Sequence, residues 1–242
     1  MTRRLRPMAV ADLALLPDPC SRCTFWEVSL HDLTAPDLHR DRTEVKREWA
    51  EAVARRWGYC GVIAADGDEL LGYATLAPAG LVPRLGALTV TPINPDAAVL
   101  LSVRVEEPHR GRGLGRQLLQ SAAGLMVRRD IRAIEAVASS REGPSCLAPA
   151  GFLERVGFTV VRPHPVTPRL RMDLQSTARW LPDLGAAWNR LTGLMPQPAP
   201  GPEPAHRHGP GGLVGEGGSA VSVGIRHGAD PLGALRGAGS GS

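Results

Sequence analysis

The sequence predicts an α/β (α+β) fold in which helices flank a mixed central sheet of about seven strands. Two observations carry this prediction. Short apolar runs of strand length alternate with segments whose apolar residues recur at helical spacing. Two of those runs are joined by Asp66-Gly67, a dipeptide typical of the tight turn in an antiparallel hairpin. The predicted order is strand, helices, three strands, helix, strand, helix and two strands.

The first half of the chain holds a strand, two helices and the hairpin. The clearest helix carries a large apolar residue at every fourth position from Val45 to Trp57, and Gly58 ends it. A segment with four prolines follows the hairpin and is predicted as a loop, because proline disrupts regular elements. The predicted bounds are Arg3–Met8 (strand), Val10–Leu16 and Thr43–Trp57 (helices), Tyr59–Ala65 and Glu69–Leu76 (hairpin strands) and Ala77–Pro95 (loop).

The second half opens on a strand, a glycine-rich turn and a helix. Ala98–Val105 is rich in Val and Leu and suits a buried strand, and the following helix places apolar residues from Leu114 to Met126 on one face. The remaining predicted elements are the strand Ala133–Val137, the helix Leu147–Val156 and the strands Phe158–Arg162 and Arg169–Leu174.

The turn between that strand and helix suits an anion such as a pyrophosphate. A helix that begins there leaves its first backbone N–H groups unpaired and carries a partial positive charge at that end. Three glycines let an anion approach the backbone, and three arginines can donate charge-assisted hydrogen bonds to phosphate oxygens. The predicted binding residues are Val103 and Val105 of the strand, followed by Arg110, Gly111, Arg112, Gly113, Leu114, Gly115 and Arg116.

Spacing separates this turn from two other phosphate-binding loops. A P-loop ends in Gly-Lys-Ser/Thr, whereas Gly115 is followed by Arg116 and Gln117. The dinucleotide fingerprint requires its third glycine one residue later than Gly115. Glu135 does lie where a ribose-binding acid would be expected, so a dinucleotide site is the weaker alternative.

The stretch resembles the acetyl-CoA signature of the GNAT acyltransferase superfamily, Arg/Gln-x-x-Gly-x-Gly/Ala after a strand that ends Val-x-Val. Arg110, Gly113 and Gly115 match this signature, and A-G-F-L-E-R-V-G-F is similar to a second family motif. The resemblance covers roughly Leu5 to Leu174. The head C-x-x-C-x-F-W-E also resembles a little-characterised bacterial branch of the superfamily.

The resemblance implies a GNAT fold and transfer of an acetyl group from acetyl-CoA, the acyl donor, to an amine of a small molecule or a protein. The alternative is a catalytically degenerate acyl-CoA-binding module that acts as a sensor or docks a partner. A homodimer is compatible with either function.

Amine acetylation needs a neutral amine and a proton for the leaving thiolate. In relatives, a glutamate that often opens the fourth strand matches Val99 here, and a tyrosine acid in a later helix matches Leu153. Cys146, at the predicted start of that helix, is the candidate catalytic acid, because a thiol near a helix N-terminus has a lowered pKa; a buried structural cysteine is the alternative. The candidate bases are Asp96, Glu106, Glu107 and Glu135.

Cys20 and Cys23 form a Cys-x-x-Cys pair. Such a pair supplies half of a tetrahedral zinc site, but no second closely spaced pair of Cys or His follows it. We therefore expect ordinary reduced thiols and no bound metal, with a zinc site completed by distant ligands and redox activity as the alternatives. Glu27 nearby is either a solvated charge or a carboxylate of the acceptor site.

Composition divides the chain into three predicted parts. With 43% apolar residues among 242, the chain can build a core. From Pro196 onward Gly, Pro, Ala and Ser dominate, a composition typical of disorder. The predicted parts are an N-acetyltransferase domain (1–175), an appended amphipathic helix (176–195) and a disordered tail (196–242).

Charge and targeting features limit the binding partners and the cellular location that the sequence predicts. A formal net charge of +4 is explained most simply by a phosphorylated cofactor, because no aromatic-rich basic patch indicates nucleic acid. No apolar stretch is long enough to span a membrane, and the N-terminus lacks the apolar core of a signal peptide. Four cysteines without a disulfide framework fit a reducing compartment, so a cytoplasmic location is expected.

Overall fold

The computed structural model describes residues 3–31, 40–141, 143 and 145–174. Within them, seven strands form one sheet in the order β1-β2-β3-β4-β5-β7-β6. Neighbouring strands are antiparallel except β4 and β5, which are parallel. The strands are β1 (Arg4–Pro7), β2 (Gly61–Asp66), β3 (Glu69–Pro78), β4 (Ala97–Val105), β5 (Ala133–Val137), β6 (Thr159–Arg162) and β7 (Arg169–Asp173).

In the part of the chain that the structure describes, three α-helices flank the sheet: α1 (Arg42–Trp57), α2 (Leu114–Val127) and α3 (Ala150–Arg155). The predicted mixed seven-stranded sheet with flanking helices is confirmed. No helix in the described ranges is both long and apolar enough to cross a membrane. The predicted helix 176–195 and tail 196–242 lie outside the described residues.

The structure corrects three predicted elements. The first helix is a 3-10 helix, Val10–Leu15, and the predicted loop 77–95 contains two short 3-10 helices, Ala79–Leu81 and Pro83–Ala87. The helix predicted from Leu147 begins at Ala150 instead. Proline explains the last difference, because the residue before Pro149 is sterically disfavoured from helical backbone angles.

The two faces of the sheet have different neighbours. A Cβ atom added to Gly72 would lie 3.2 Å from Leu118 Cδ1, so α2 packs on the face that contains Gly72 and its β4 partner, Val105. Side chains alternate along a strand, so Tyr73 and its partner Arg104 lie on the opposite face. The sheet therefore presents one side of β4 to α2 and the other to the N-terminal half of the chain.

The sheet opens between β4 and β5. The two strands pair only over Ala97–Leu100 and Ala133–Ala136. Leu101–Val105 continues past this pairing, and among the described residues no strand lies beside its β5-facing edge. We call this edge of Leu101–Val105 the open edge of β4.

Candidate functional site

The predicted pyrophosphate loop connects the end of β4 to the first turn of α2. Gly111 and Gly113 have φ angles of 72° and 77°, in the left-handed region that favours glycine. A Cβ atom built on either would meet no described atom within 4 Å beyond its chain neighbours. Gly113 is the residue that caps α2, and it has no side chain that could accept from the helix N–H groups. The loop thus combines open space with uncapped backbone donors, as an anion site requires.

The three arginines of the loop have different surroundings. Arg110 Nε donates to the carbonyl of Val105 at 2.9 Å, which ties the loop back to β4. Arg116 Nη2 donates to the carbonyl of Arg155 at 3.0 Å, which ties α2 to α3. Arg112 is exposed and makes no hydrogen bond or ion pair with another described residue. Arg112 is therefore the arginine of this loop most available to a ligand.

Gly115 has a packing reason to be glycine. It lies in the first turn of α2, where an added Cβ atom would come 3.0 Å from the ring of Phe152 and 3.7 Å from Val105 Cγ2. The preceding Leu114 is buried. These contacts hold the start of α2 against α3 and β4, whereas the left-handed glycines before it leave the backbone accessible.

The open edge of β4 continues from this loop. Val103 and Val105 lie on the α2 side of the strand, as the pairing with Ala74 and Gly72 shows. A strand edge without a neighbour offers backbone N–H and C=O groups to an extended ligand. A ligand with an anionic end and an amide-containing chain can therefore contact the loop and this edge together.

Cys146 lies in the loop before α3 and not at the helix N-terminus, since α3 begins at Ala150 after Pro149. Its Sγ lies 3.3 Å from Cys23 Sγ. The hydrogen bond from Cys146 is the largest cause that lowers the pKa of Cys23 to about 6. The same contact raises the pKa of Cys146 above the ordinary thiol value. The pKa is thus lowered at Cys23, whereas the sequence predicted a lowered pKa at Cys146.

Cys20 lies against different partners. Arg104 Nη1 lies 3.8 Å from Cys20 Sγ. Burial, followed by a hydrogen bond with Cys20, raises the pKa of Tyr73. The two members of the Cys-x-x-Cys pair therefore contact different groups, and the described part of the chain contains no cluster of three or more residues suited to a metal ion.

Glu27 is buried and not solvated. Lys46 Nζ, from α1, lies 2.6 Å from Glu27 Oε1 and 2.7 Å from the carbonyl oxygen of Cys23. The backbone N–H of Trp26 donates to the other carboxylate oxygen at 3.1 Å. Of the two predicted roles for Glu27, the solvated charge is wrong, because the side chain is buried, with Lys46 at one oxygen and the Trp26 N–H at the other.

Glu135 is the candidate base that lies beside Val99. The two residues are partners in the parallel pairing of β4 and β5, so their side chains share a face. The Glu135 side chain is fully buried, and its Oε1 accepts from Asn94 Nδ2 at 2.6 Å and Arg171 Nη1 at 3.1 Å. Arg169 Nη1 lies 3.5 Å from Oε2. Two guanidinium groups and an amide therefore engage this carboxylate.

Two further candidate bases are also paired with arginine. Arg171 donates to Asp96, and this contact is the largest cause of a lowered pKa for that carboxyl. Arg104 Nε donates to Glu106 Oε1 at 2.9 Å. The Asp96 carboxylate is thus stabilised in its ionised form, and the Glu106 carboxylate is held in an ion pair with Arg104.

A cavity of about 580 Å³ lies at the other end of β4. Its lining includes Asp96, Ala97 and Ile131, at the N-terminal ends of β4 and β5. The predicted cofactor residues and Cys146 are not among its lining residues. We therefore place the candidate site at the carboxyl end of β4, on the evidence of the loop and the open edge.

Comparison with known proteins gives one family match. A family model described as the acetyltransferase (GNAT) family matches residues 24–158, which include the glycine-arginine loop and Cys146 but begin just after Cys23. Comparison with curated proteins gives no match.

Solved structures with detectable likeness have low identity. The PaiA N-acetyltransferase of Thermoplasma acidophilum, solved with coenzyme A, is 15% identical over 72% of this chain and 99% of its own, with a TM-score of 0.47. YncA of Salmonella typhimurium, solved with acetyl-CoA, is 19% identical over 72% and 95%, with a TM-score of 0.47. An aminoglycoside acetyltransferase solved with coenzyme A is 20% identical over 74% and 98%, also with a TM-score of 0.47.

Proposed function

The chain belongs to the acetyltransferase (GNAT) family, and from that premise we propose that it transfers the acetyl group of acetyl-CoA to an amine of a small molecule or a protein. The observation that carries the proposal is the loop Gly111–Arg116, placed between the open edge of β4 and the uncapped start of α2. The left-handed backbone angles of its two glycines leave room beside the backbone donors. Arg112 adds an exposed positive charge that makes no ion pair with another described residue.

Each part of this arrangement suits one part of acetyl-CoA. The loop amides and Arg112 would bind the pyrophosphate, since helix N-termini and arginine both favour phosphate oxygens. The open edge of β4 would accept the amide-containing pantetheine arm as an added strand. Acetyl-CoA supplies an activated thioester, and these contacts would orient it at the opening between β4 and β5.

The acceptor amine must lose a proton before it attacks. At pH 7 this costs roughly 4–5 kcal/mol for a lysine-like amine of pKa near 10.4 and about 1.4 kcal/mol for an α-amine of pKa near 8. Asp96, Glu106 and Glu135 are each paired with arginine, so none is well suited to lower that cost. We therefore expect α-amines to be better acceptors than ε-amines at neutral pH.

Two short peptides test this preference, one with a free α-amine and blocked side chains, the other with a free lysine side chain and a blocked N-terminus. Release of coenzyme A is measured from pH 6 to 9. The α-amine peptide should react faster at pH 7, and its rate should rise with pH until about 8, as the amine loses its proton. Faster reaction of the lysine peptide at pH 7 would show that an efficient base exists.

Cys146 as general acid stays a prediction. A general acid contributes roughly 10²–10⁴ to the rate. Because Cys23 raises the pKa of Cys146, that thiol holds its proton tightly and is a weak donor. We expect Cys146→Ser to lower acetyl transfer less than about tenfold, and a larger loss would support the acid role.

Calorimetric titration with coenzyme A tests the binding site directly. Arg112→Ala removes a charge-assisted hydrogen bond worth roughly 1.5–3 kcal/mol, so Kd should rise about tenfold to hundredfold. Arg55→Ala, an equal charge change on an exposed position of α1, is the control and should bind like the wild type. The difference between Arg112→Ala and wild type should shrink at high salt, because salt screens the exposed contact.

The outcomes distinguish the alternatives. Binding of coenzyme A without thiol release across a panel of amines would favour the degenerate acyl-CoA-binding module. Absence of binding at millimolar coenzyme A would refute both functions. The same titration with NAD would then test the dinucleotide site.

A further inference from the structure

Two cysteines from distant parts of the chain lie in contact. Cys23 lies in the segment before α1, Cys146 lies in the loop before α3, and their sulfur atoms are 3.3 Å apart. We propose that Cys23 and Cys146 form a reversible oxidation site, at which small-molecule disulfides convert the two thiols to an intramolecular disulfide.

The geometry requires only a small movement. A disulfide bond is about 2.05 Å long, so the two sulfur atoms must approach by roughly 1.3 Å. Neither cysteine lies in a strand or α-helix, so loop backbone can absorb this shift. Cys146 is exposed and Cys23 is partly exposed, which gives an oxidant access to the pair.

The groups that face Cys23 favour its reactive form. A hydrogen bond from Cys146, another from the backbone of Phe25 and the charge of Lys46 all lower its pKa, while burial and the charge of Glu27 oppose them. The balance brings the pKa of Cys23 to about 6, so most of this thiol is ionised at pH 7. The thiolate is the form that attacks disulfides.

The reaction balances as two thiol–disulfide exchanges. The Cys23 thiolate attacks one sulfur of oxidised glutathione, forms a mixed disulfide and releases one glutathione thiolate. Formation of the mixed disulfide removes the hydrogen bond to the Cys23 thiolate and its charge, which both raise the pKa of Cys146. Cys146 then loses its proton to solvent or to the released thiolate, attacks the Cys23 sulfur and displaces the second glutathione. The protein loses two electrons and one oxidised glutathione becomes two reduced molecules.

The other two cysteines have different environments. Cys60 is buried, and burial is the largest cause that raises its pKa to about 12. Cys20 contacts Arg104 on β4 and hydrogen-bonds with Tyr73. Because Cys20 is only three residues from Cys23, a Cys20–Cys23 disulfide is the competing product. The Cys23–Cys146 bond would instead link the segment before α1 to the loop after β5.

Peptide mapping of the full chain decides between these products. Folded protein is equilibrated with oxidised and reduced glutathione at pH 7, alkylated and digested with trypsin. Cleavage after Arg22 separates Cys20 from Cys23. We expect a disulfide between peptides 23–40 and 142–155, with two of the four thiols lost. A Cys20–Cys23 disulfide, or no intramolecular disulfide at any glutathione ratio, would overturn the proposal.

Serine variants test the order of the two steps. Cys146→Ser should accumulate a glutathione adduct on Cys23, because no second thiol remains to displace the glutathione, whereas Cys23→Ser should form its adduct on Cys146 more slowly at pH 7. Cys20→Ser is the matched control and should still form the Cys23–Cys146 disulfide. Oxidation of the wild type should slow as the pH falls below about 6, where the Cys23 thiolate is protonated.

The opposite order of reactivity, or loss of the disulfide in Cys20→Ser with an unchanged melting temperature, would contradict the assignment. None of these measurements needs acetyl transfer, so their outcome is independent of the proposed function.

Discussion

Replacement of Lys46 by methionine tests the buried ion pair that holds the N-terminal segment on α1. Lys46 is the only lysine among the 242 residues. Its side chain is 10% exposed, and that of its partner Glu27 is 3% exposed. Lys46→Met leaves the Glu27 carboxylate buried without its counter-charge and removes the donor to the Cys23 carbonyl.

The expected loss of stability follows from the desolvation of the Glu27 carboxylate. Removal of one partner from a buried ion pair typically costs about 3–5 kcal/mol, because an uncompensated charge remains. For a folded domain of 150–250 residues, each kcal/mol shifts Tm by about 2–4 °C, so Lys46→Met should lower Tm by roughly 6–20 °C. Thermal unfolding followed by circular dichroism measures this shift.

Two further variants separate the effect of the broken ion pair on Tm from the effect of the changed side-chain volume. The double variant Glu27→Gln, Lys46→Met removes both charges and should recover much of the lost Tm. Arg47→Met changes a neighbouring cation on α1 whose ion pairs with Glu44 and Glu51 are solvated, and it should melt close to the wild type. A fall of only a few degrees in Lys46→Met, or no recovery in the double variant, would refute the reasoning.

Two more predictions concern the loop and the N-terminus. Gly113→Val should raise the Kd of coenzyme A at least about tenfold, because it places a β-branched side chain at φ 77° and fills the space beside the loop amides. Calorimetry measures this Kd, and thermal unfolding shows whether the variant is still folded. Burial alone would raise the pKa of Asp12, but hydrogen bonds from Arg6 and Ala9 and the Arg6 charge lower it overall. A lowered carboxyl pKa stabilises the fold above its unfolded value near 3.9, so urea unfolding should show wild type more stable than Asp12→Asn by about 1–2 kcal/mol at pH 7. This advantage should disappear as the pH falls below about 4.

Elements that depend on local pattern could be predicted from the sequence. The strand Ala133–Val137 has the predicted bounds, and α1 differs from its prediction by one residue at its start. The hairpin around Asp66-Gly67 also forms, because glycine adopts the positive φ that the turn needs. Hydrophobic periodicity and turn residues act over a few positions, so the sequence alone contains this information.

The contacts between distant segments of the chain could not be predicted in this way. The approach of Cys23 to Cys146 spans 123 residues, and the Glu27–Lys46 pair joins a loop to a helix. Such pairs depend on how elements pack, and residue types alone assign no partner. The expected lowered pKa of Cys146 was wrong, in part because it assumed a helix start at this residue, whereas α3 begins at Ala150 after Pro149.

The open edge of β4 lies between these two cases, because it follows from strand lengths once the pairing is known. β4 has nine residues and β5 has five, and their parallel register begins at the first residue of each, with Ala97 beside Ala133. The last part of β4 must then run past the end of β5. The lengths of both strands were close to prediction, but the sequence pattern did not say which strand would lie beside β4. This last part of β4 leads into the glycine-arginine loop. It also contains Arg104, which lies beside Cys20 on the face of the sheet opposite α2. A substitution that lengthened β5 would therefore be expected to disturb coenzyme A binding and the cysteine contacts together.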